Sequence, residues 1–125
     1  MLESIKNNTA FTINGVDYAT EDGTCVRDYV HVEDIARAHL LAAQHAECGF
    51  YNLSTGSGYS NRMIVDSALK TVGVEKEIGT GSMRPGDPAV LVGSGEKFAD
   101  AVGWQPIHDL SSIIKTAWQW YNREV

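Results

Sequence analysis

Apolar residues return at helical spacing from Val32 onward: Ile35, Ala38 and Ala42, with His39 among them, fall at i, i+3, i+4 and i+7. The spacing predicts a helix over 32–46. Glu33 and Asp34 lie in its first turn and His45 near its end, the order that suits the helix dipole. Ile35, Ala36, Ala38 and the run Leu40 to Ala43 cover a wider arc than one buried face needs. Such a helix lies between two layers, or lacks something that should cover it. Ser60 is placed to cap a second helix with face Ile64, Ala68, Thr71 and Val72, which Gly73 ends. A third begins at Ser94 and runs through Phe98, Ala101 and Val102 to Gly103. The last, capped by Asp109, repeats Leu110, Ile113, Ile114, Ala117, Trp118 and Tyr121. Phe11–Ile13, "GFYNLS" (49–54) and "KEIG" have strand composition between turn signals. Strands alternating with helices predict an α/β layered fold.

Length and composition narrow the class. One domain suits 125 residues, and 43% hydrophobic content can bury a core. The net charge of −6 repels nucleic acid and anionic membrane surfaces alike, so neither is an expected partner. A small anion feels the nearest groups instead. Cys25 and Cys48 are too few for a disulfide framework and suit reduced thiols in the cytoplasm. "MLESIKNNTA" has neither the basic nor the apolar region of a signal peptide, and no run is apolar enough to cross a membrane.

Candidate chemistry concentrates at two turns. Tyr18 to His39 holds five carboxylates, two arginines, two histidines and two tyrosines. Arg27 follows "EDGTCV"; Arg84 opens "RPGDP", whose Pro85 and Gly86 bend the chain so that Arg84 and Asp87 point the same way. Arginine forks bond phosphate oxygens in pairs, and an adjacent aspartate accepts from sugar hydroxyls, a combination suited to a nucleotide diphosphate sugar. The plainer alternative pairs Arg27 with Asp22 or Asp28 and leaves Arg84 in solvent. "TGSGYS" offers G-x-G at Gly56 and Gly58, but Asn61 stands where a dinucleotide fingerprint needs glycine, so a turn is the expected reading. His31, His39, His45 and His108 lack metal-ligand spacing. His39 is expected in the core, as are Trp104, Trp118 and Trp120.

"DYATEDGTCVRDYVHVEDIARAH", "YNLSTGSGYS", "MRPGDPAVLV" and "VGWQP" before a Trp-x-Trp helix, in this order and spacing, resemble the C-terminal part of the UDP-glucose 4-epimerases, within the extended short-chain dehydrogenase/reductase family. The resemblance runs from Met1 to about Tyr121. It implies the substrate-binding portion of an extended Rossmann-type sugar-nucleotide epimerase over 1–125, with a strand-helix-strand piece that normally joins a Rossmann domain. In that family the segment matching Thr12, Ile13 and Asn14 contacts uracil, largely through main chain. Arginines matching Arg27 and Arg84 hold the diphosphate, the aspartate matching Asp87 bonds ribose, and Tyr29 stands beside the nucleotide. The position matching Leu91 lines the sugar pocket, where side-chain size bears on N-acetyl groups. A tyrosine base and tightly held NAD interconvert UDP-glucose and UDP-galactose in a homodimer.

This chain departs from the family pattern at Met83, where an arginine is usual, at Ser54 in "YNLS", and at Gly93–Ser94. The Gly-rich Rossmann fingerprint and the catalytic Tyr-x-x-x-Lys do not occur in it. Hence no catalytic, cofactor or metal residue is expected here, and NAD is expected only in the complete enzyme, with a Rossmann half supplied in cis or trans. Two other readings stay open: a stand-alone UDP-sugar-binding module, and part of a related enzyme such as a UDP-N-acetylglucosamine 4-epimerase or a dehydratase.

Overall fold

The computed structural model describes residues 1–123. Ten elements follow in order: α1 (Leu2–Lys6), β1 (Thr12–Asn14), β2 (Val26–Arg27), α2 (Val32–His45), β3 (Tyr59–Ser60), α3 (Asn61–Val72), β4 (Gly79–Gly81), β5 (Val90–Leu91), α4 (Glu96–Val102) and α5 (Leu110–Asn122). This is a small α/β piece. Two short sheets carry the strands. β1 runs parallel to β4, with Ile13 opposite Thr80. β2 lies between β3, antiparallel, and β5, parallel, so that Arg27 faces Tyr59 on one side and Leu91 on the other.

The helices form where their caps and apolar faces predict. Ser60 Oγ accepts from the Met63 N–H, and Asp109 from the Ser112 N–H, satisfying donors that a helix start leaves open. Gly73 and Gly103 close α3 and α4 in the left-handed conformation. α4 starts at Glu96, two residues later than the sequence suggests, because Ser94 turns its hydroxyl to the Glu96 N–H from outside the helix. α1 and the two-residue strands carry no periodicity of their own and are not evident in the sequence.

There are two cores. Ala38, Phe98 and Trp104 join α2 to α4; Ile64, Ala68 and Ile114 join α3 to α5, with α1 over their edge. α2 buries Ala38 but leaves Val32, Ala36, Leu40 and Ala43 exposed as a second apolar stripe on its outer side. The wide apolar arc is thus half used. "GFYNLS" is not a strand: Tyr51 and Leu53 pack on the first core, Phe50 is 97% exposed, and no described strand lies alongside to pair with it. His39 is exposed, bonding its own helix at the Ile35 carbonyl (2.8 Å) rather than filling the core. Trp104 is a core anchor and Trp118 half-buried, but Trp120 is 65% exposed, beneath the Arg123 guanidinium. No described helix is long and apolar enough to cross a membrane.

Candidate functional site

The polar turn before β2 is organised by Asp22. Its carboxylate accepts from the Thr24 N–H (2.8 Å) and hydroxyl (2.7 Å), and from the Ser60 hydroxyl, tying the turn to the start of α3. Burial pushes the Asp22 pKa up, but these hydrogen bonds outweigh it and the carboxyl titrates below its ordinary value. Held this way, the turn delivers Arg27 at the end of β2. One Arg27 nitrogen, Nη1, donates to the Val26 and Pro88 carbonyls (2.7 and 2.9 Å); Nη2 meets the Asp87 carboxylate at 2.5 Å. Arg27 therefore pairs with Asp87, sixty residues away in sequence, and with neither Asp22 nor Asp28.

Arg84 and Asp87 frame the turn that their sequence predicts. The Asp87 N–H donates to the Arg84 carbonyl (3.2 Å), and Gly86 at φ 79° supplies a conformation that a side chain would resist. Both residues face a cavity of about 420 Å³. Thr12, Ile13, Asn14 and Tyr29 face the same cavity. At Gly81 an added methyl would sit 2.6 Å from Asn14 Oδ1, so the glycine of β4 leaves room for the asparagine beside it. Arg27 stands behind the Asp87 wall, and Leu91, 60% exposed on β5, lies outside the cavity lining.

The site's electrostatics follow from burial and from the Arg84–Asp87 turn. Burial first, then Cys25, raises the Tyr29 pKa and keeps it a neutral phenol. Tyr18 is raised likewise by burial, then by Asp87 and Cys25; its hydroxyl is buried without a hydrogen-bond partner among the described residues. The rest of the lining, namely Met1, Phe11, Asn61, Ile64 and Val65, was not singled out for the site by the sequence. The last three belong to the first turns of α3, and only the fold brings that end to β1. Their sole sequence signal is a helix start directly after the glycine turn.

Two other clusters resolve into structure. The "TGSG" loop is closed to a ligand phosphate because Asp28 occupies it. Its carboxylate accepts from the Thr55 N–H (3.1 Å), the Gly56 N–H (3.2 Å) and the hydroxyls of Thr55 and Ser54. A dinucleotide does not fit there. Ser54 also donates to the Gly93 carbonyl (2.7 Å), and a methyl on Gly93 would lie 3.2 Å from it, so two departures from the family pattern touch one another. His31, Glu33 and His108 approach closely enough to suggest metal ligands. Yet His31 Nδ1 accepts the Glu33 N–H (3.0 Å), so the proton sits on Nε2, which meets the Thr116 hydroxyl at 2.7 Å. Neither nitrogen is left for an ion. His31 is the cap of α2, with His108 stacked upon it at 4.0 Å.

A family model described as GDP-mannose 4,6 dehydratase matches residues 15–117, and the chain belongs to that family. It is 44% identical over 118 residues to the UDP-glucose 4-epimerase of Lacticaseibacillus casei, across 90% of this chain and 36% of that protein. Among solved structures, the UDP-glucose-4-epimerase of Stenotrophomonas maltophila with bound NAD and formylated UDP-arabinopyranose superposes with a TM-score of 0.90. It is 33% identical and matches 95% of this chain and 37% of its own. The Bifidobacterium longum UDP-glucose 4-epimerase in complex with NAD+ and UDP gives 0.86 at 30% identity, over 97% and 38%. The chain thus spans just over a third of the length of the relatives it matches.

Proposed function

We propose, on the premise of that membership, that this chain is the part of a UDP-glucose 4-epimerase that grips the nucleotide of a UDP-hexose. The observation that carries the reading is the single cavity in which Arg84, Asp87, Asn14 and Tyr29 meet, with Arg27 fastened to its wall through Asp87. Arg84 takes the diphosphate as a guanidinium fork. Asp87 accepts from ribose hydroxyls, and the main chain of Thr12–Asn14 reads the uracil. Arg27, now paired to Asp87, turns toward the phosphates when they arrive. Leu91 borders the sugar. Gripping the unreacting nucleotide leaves the hexose free to present either face, which is what inversion at one carbon requires.

Catalysis, in this reading, belongs to a Rossmann half supplied in cis or trans. NAD, when bound there, supplies the oxidising and reducing chemistry; this chain's residues bind and orient. Alone the chain turns nothing over and holds UDP weakly, because a charge-assisted bond contributes ~1.5–3 kcal/mol and one wall is absent. The assembled enzyme interconverts UDP-glucose and UDP-galactose in galactose metabolism, as a cytoplasmic homodimer.

An amide NMR titration with UDP tests the reading. Shifts are expected at Asn14, Tyr29, Arg84 and Asp87, weaker than micromolar in affinity, and abolished by Arg84→Ala. Shifts confined to the "TGSG" loop, or unchanged by Arg84→Ala, would overturn it. Adding the separately produced NAD-binding half of a relative should restore conversion of UDP-glucose to UDP-galactose.

A further inference from the structure

Asn61 is the first residue of α3 and faces the cavity together with Tyr29. Its position is rigidly set. The main-chain N–H donates to the Cys25 carbonyl at 3.0 Å, and the side-chain Nδ2 is turned to the Cys25 sulfur, also at 3.0 Å. The amide carbonyl is the end that remains. It meets the Tyr29 hydroxyl only at 3.5 Å, the outer limit of a hydrogen bond, so both groups keep unused capacity. Burial holds Tyr29 in its protonated form. A carbonyl acceptor and a phenol, side by side and loosely joined, form a receptor for one small hydroxyl: the carbonyl accepts a hydrogen bond from its O–H while the phenol donates one to its oxygen. The other polar lining residues are Arg84 and Asp87 at one turn and Thr12 and Asn14 of β1; the remainder is apolar.

We propose that Asn61, with Tyr29, binds a hydroxyl of the ligand's pentose, and so makes this site select ribonucleotides. The inference rests on the nucleotide reading above and adds a residue to it. A site built to bond a hydroxyl discriminates strongly against a ligand lacking it, because its own polar groups are then left unpaired.

The test is a binding cycle on the full chain, read by amide NMR with ligands up to several millimolar. UDP and 2′,3′-dideoxy-UDP are titrated into the natural chain, Asn61→Val and Asn61→Asp. Asn61→Val is expected to weaken UDP about five- to tenfold and to leave the dideoxy compound within about twofold, the coupling of a single hydrogen bond. A wild-type-like dispersed spectrum establishes that each variant folds, and Asn61→Asp, which keeps the size and an acceptor, should retain more of the UDP preference than valine does. Equal losses for both ligands, or no loss for either, overturn the inference while the nucleotide reading stands. A natural chain that responds to neither ligand removes that reading and the inference with it.

Discussion

Replacing Asp34 by alanine should destabilise this fold strongly, although Asp34 is no part of the Arg84–Asp87 cavity lining. The Asp34 side chain is fully buried where α2 meets the connector before α5. Its oxygens accept from the main-chain N–H of Ile107 (3.2 Å) and of His108 (3.1 Å), from His108 Nδ1 (3.1 Å) and from Arg37 Nη2 (2.9 Å). Alanine leaves the main-chain N–H groups of Ile107 and His108 without the acceptor they have in the fold, at ~1–3 kcal/mol each. Arg37 adds little, being 39% exposed and still bonded to the Gln105 carbonyl. The sum is ~2–6 kcal/mol against a domain stability of ~5–15 kcal/mol. For a chain of this length that lowers Tm by about 6–30 °C. Near-ultraviolet circular dichroism reports it well, since Trp104 Nε1 donates to the Asp34 carbonyl (3.0 Å) in the same buried corner. Asp34→Asn, which keeps one acceptor, should cost roughly half as much. An alanine variant melting within about 3 °C of the natural chain would refute the argument, as would an asparagine variant as unstable as alanine.

Acid should act through the same kind of group. Asp22, Asp28 and Asp34 each feel burial, which raises the pKa, but accepted hydrogen bonds carry all three below their ordinary value. Their contribution to stability is therefore full above the unfolded carboxyl pKa of about 3.9 and is lost as pH falls through the lower folded values; urea midpoints that rise between pH 5 and pH 3 would contradict this. Ser60→Ala should cost ~1–2 kcal/mol as a lost helix cap. Ser60→Asp, a good cap elsewhere, should be worse than alanine because its charge faces Asp22, and thermal melts that rank aspartate above alanine would show the pairing with Asp22 to be unimportant. Leu40→Lys with Phe50→Ser, at positions 66% and 97% exposed, should change stability by no more than about 0.5 kcal/mol per site. The same pair should lower any self-association seen by sedimentation, since exposed apolar stripes tend to find a cover.

Local signals were readable where a few adjacent residues decide the outcome. Ser60, Gly73 and Asp109 mark helix ends because capping involves one side chain and the next turn. The Arg84–Asp87 turn is equally local, fixed by Pro85 and Gly86. "GFYNLS" fails for the opposite reason: strand composition needs a neighbouring strand, and composition does not say whether one is there. Trp120 and His39 fail because helical period gives a residue's direction around the axis but not what lies in that direction.

By itself, then, the sequence determined the four longer helices, the caps at Ser60, Gly73, Gly103 and Asp109, the two arginine-bearing turns and the α/β character, all properties of short segments whose energetics are complete within a turn or two. Tertiary structure alone decided that Arg27 pairs with Asp87, that Asp28 fills the glycine loop, that His31 caps α2 while bonding Thr116, and that Asn61 reaches the wall of the cavity. Each of these joins groups twenty-seven to eighty-five residues apart, or an element to a face it never meets in sequence. Among several nearby carboxylates the partner of a charge is set by which loops pack together, and that is a property of the folded chain.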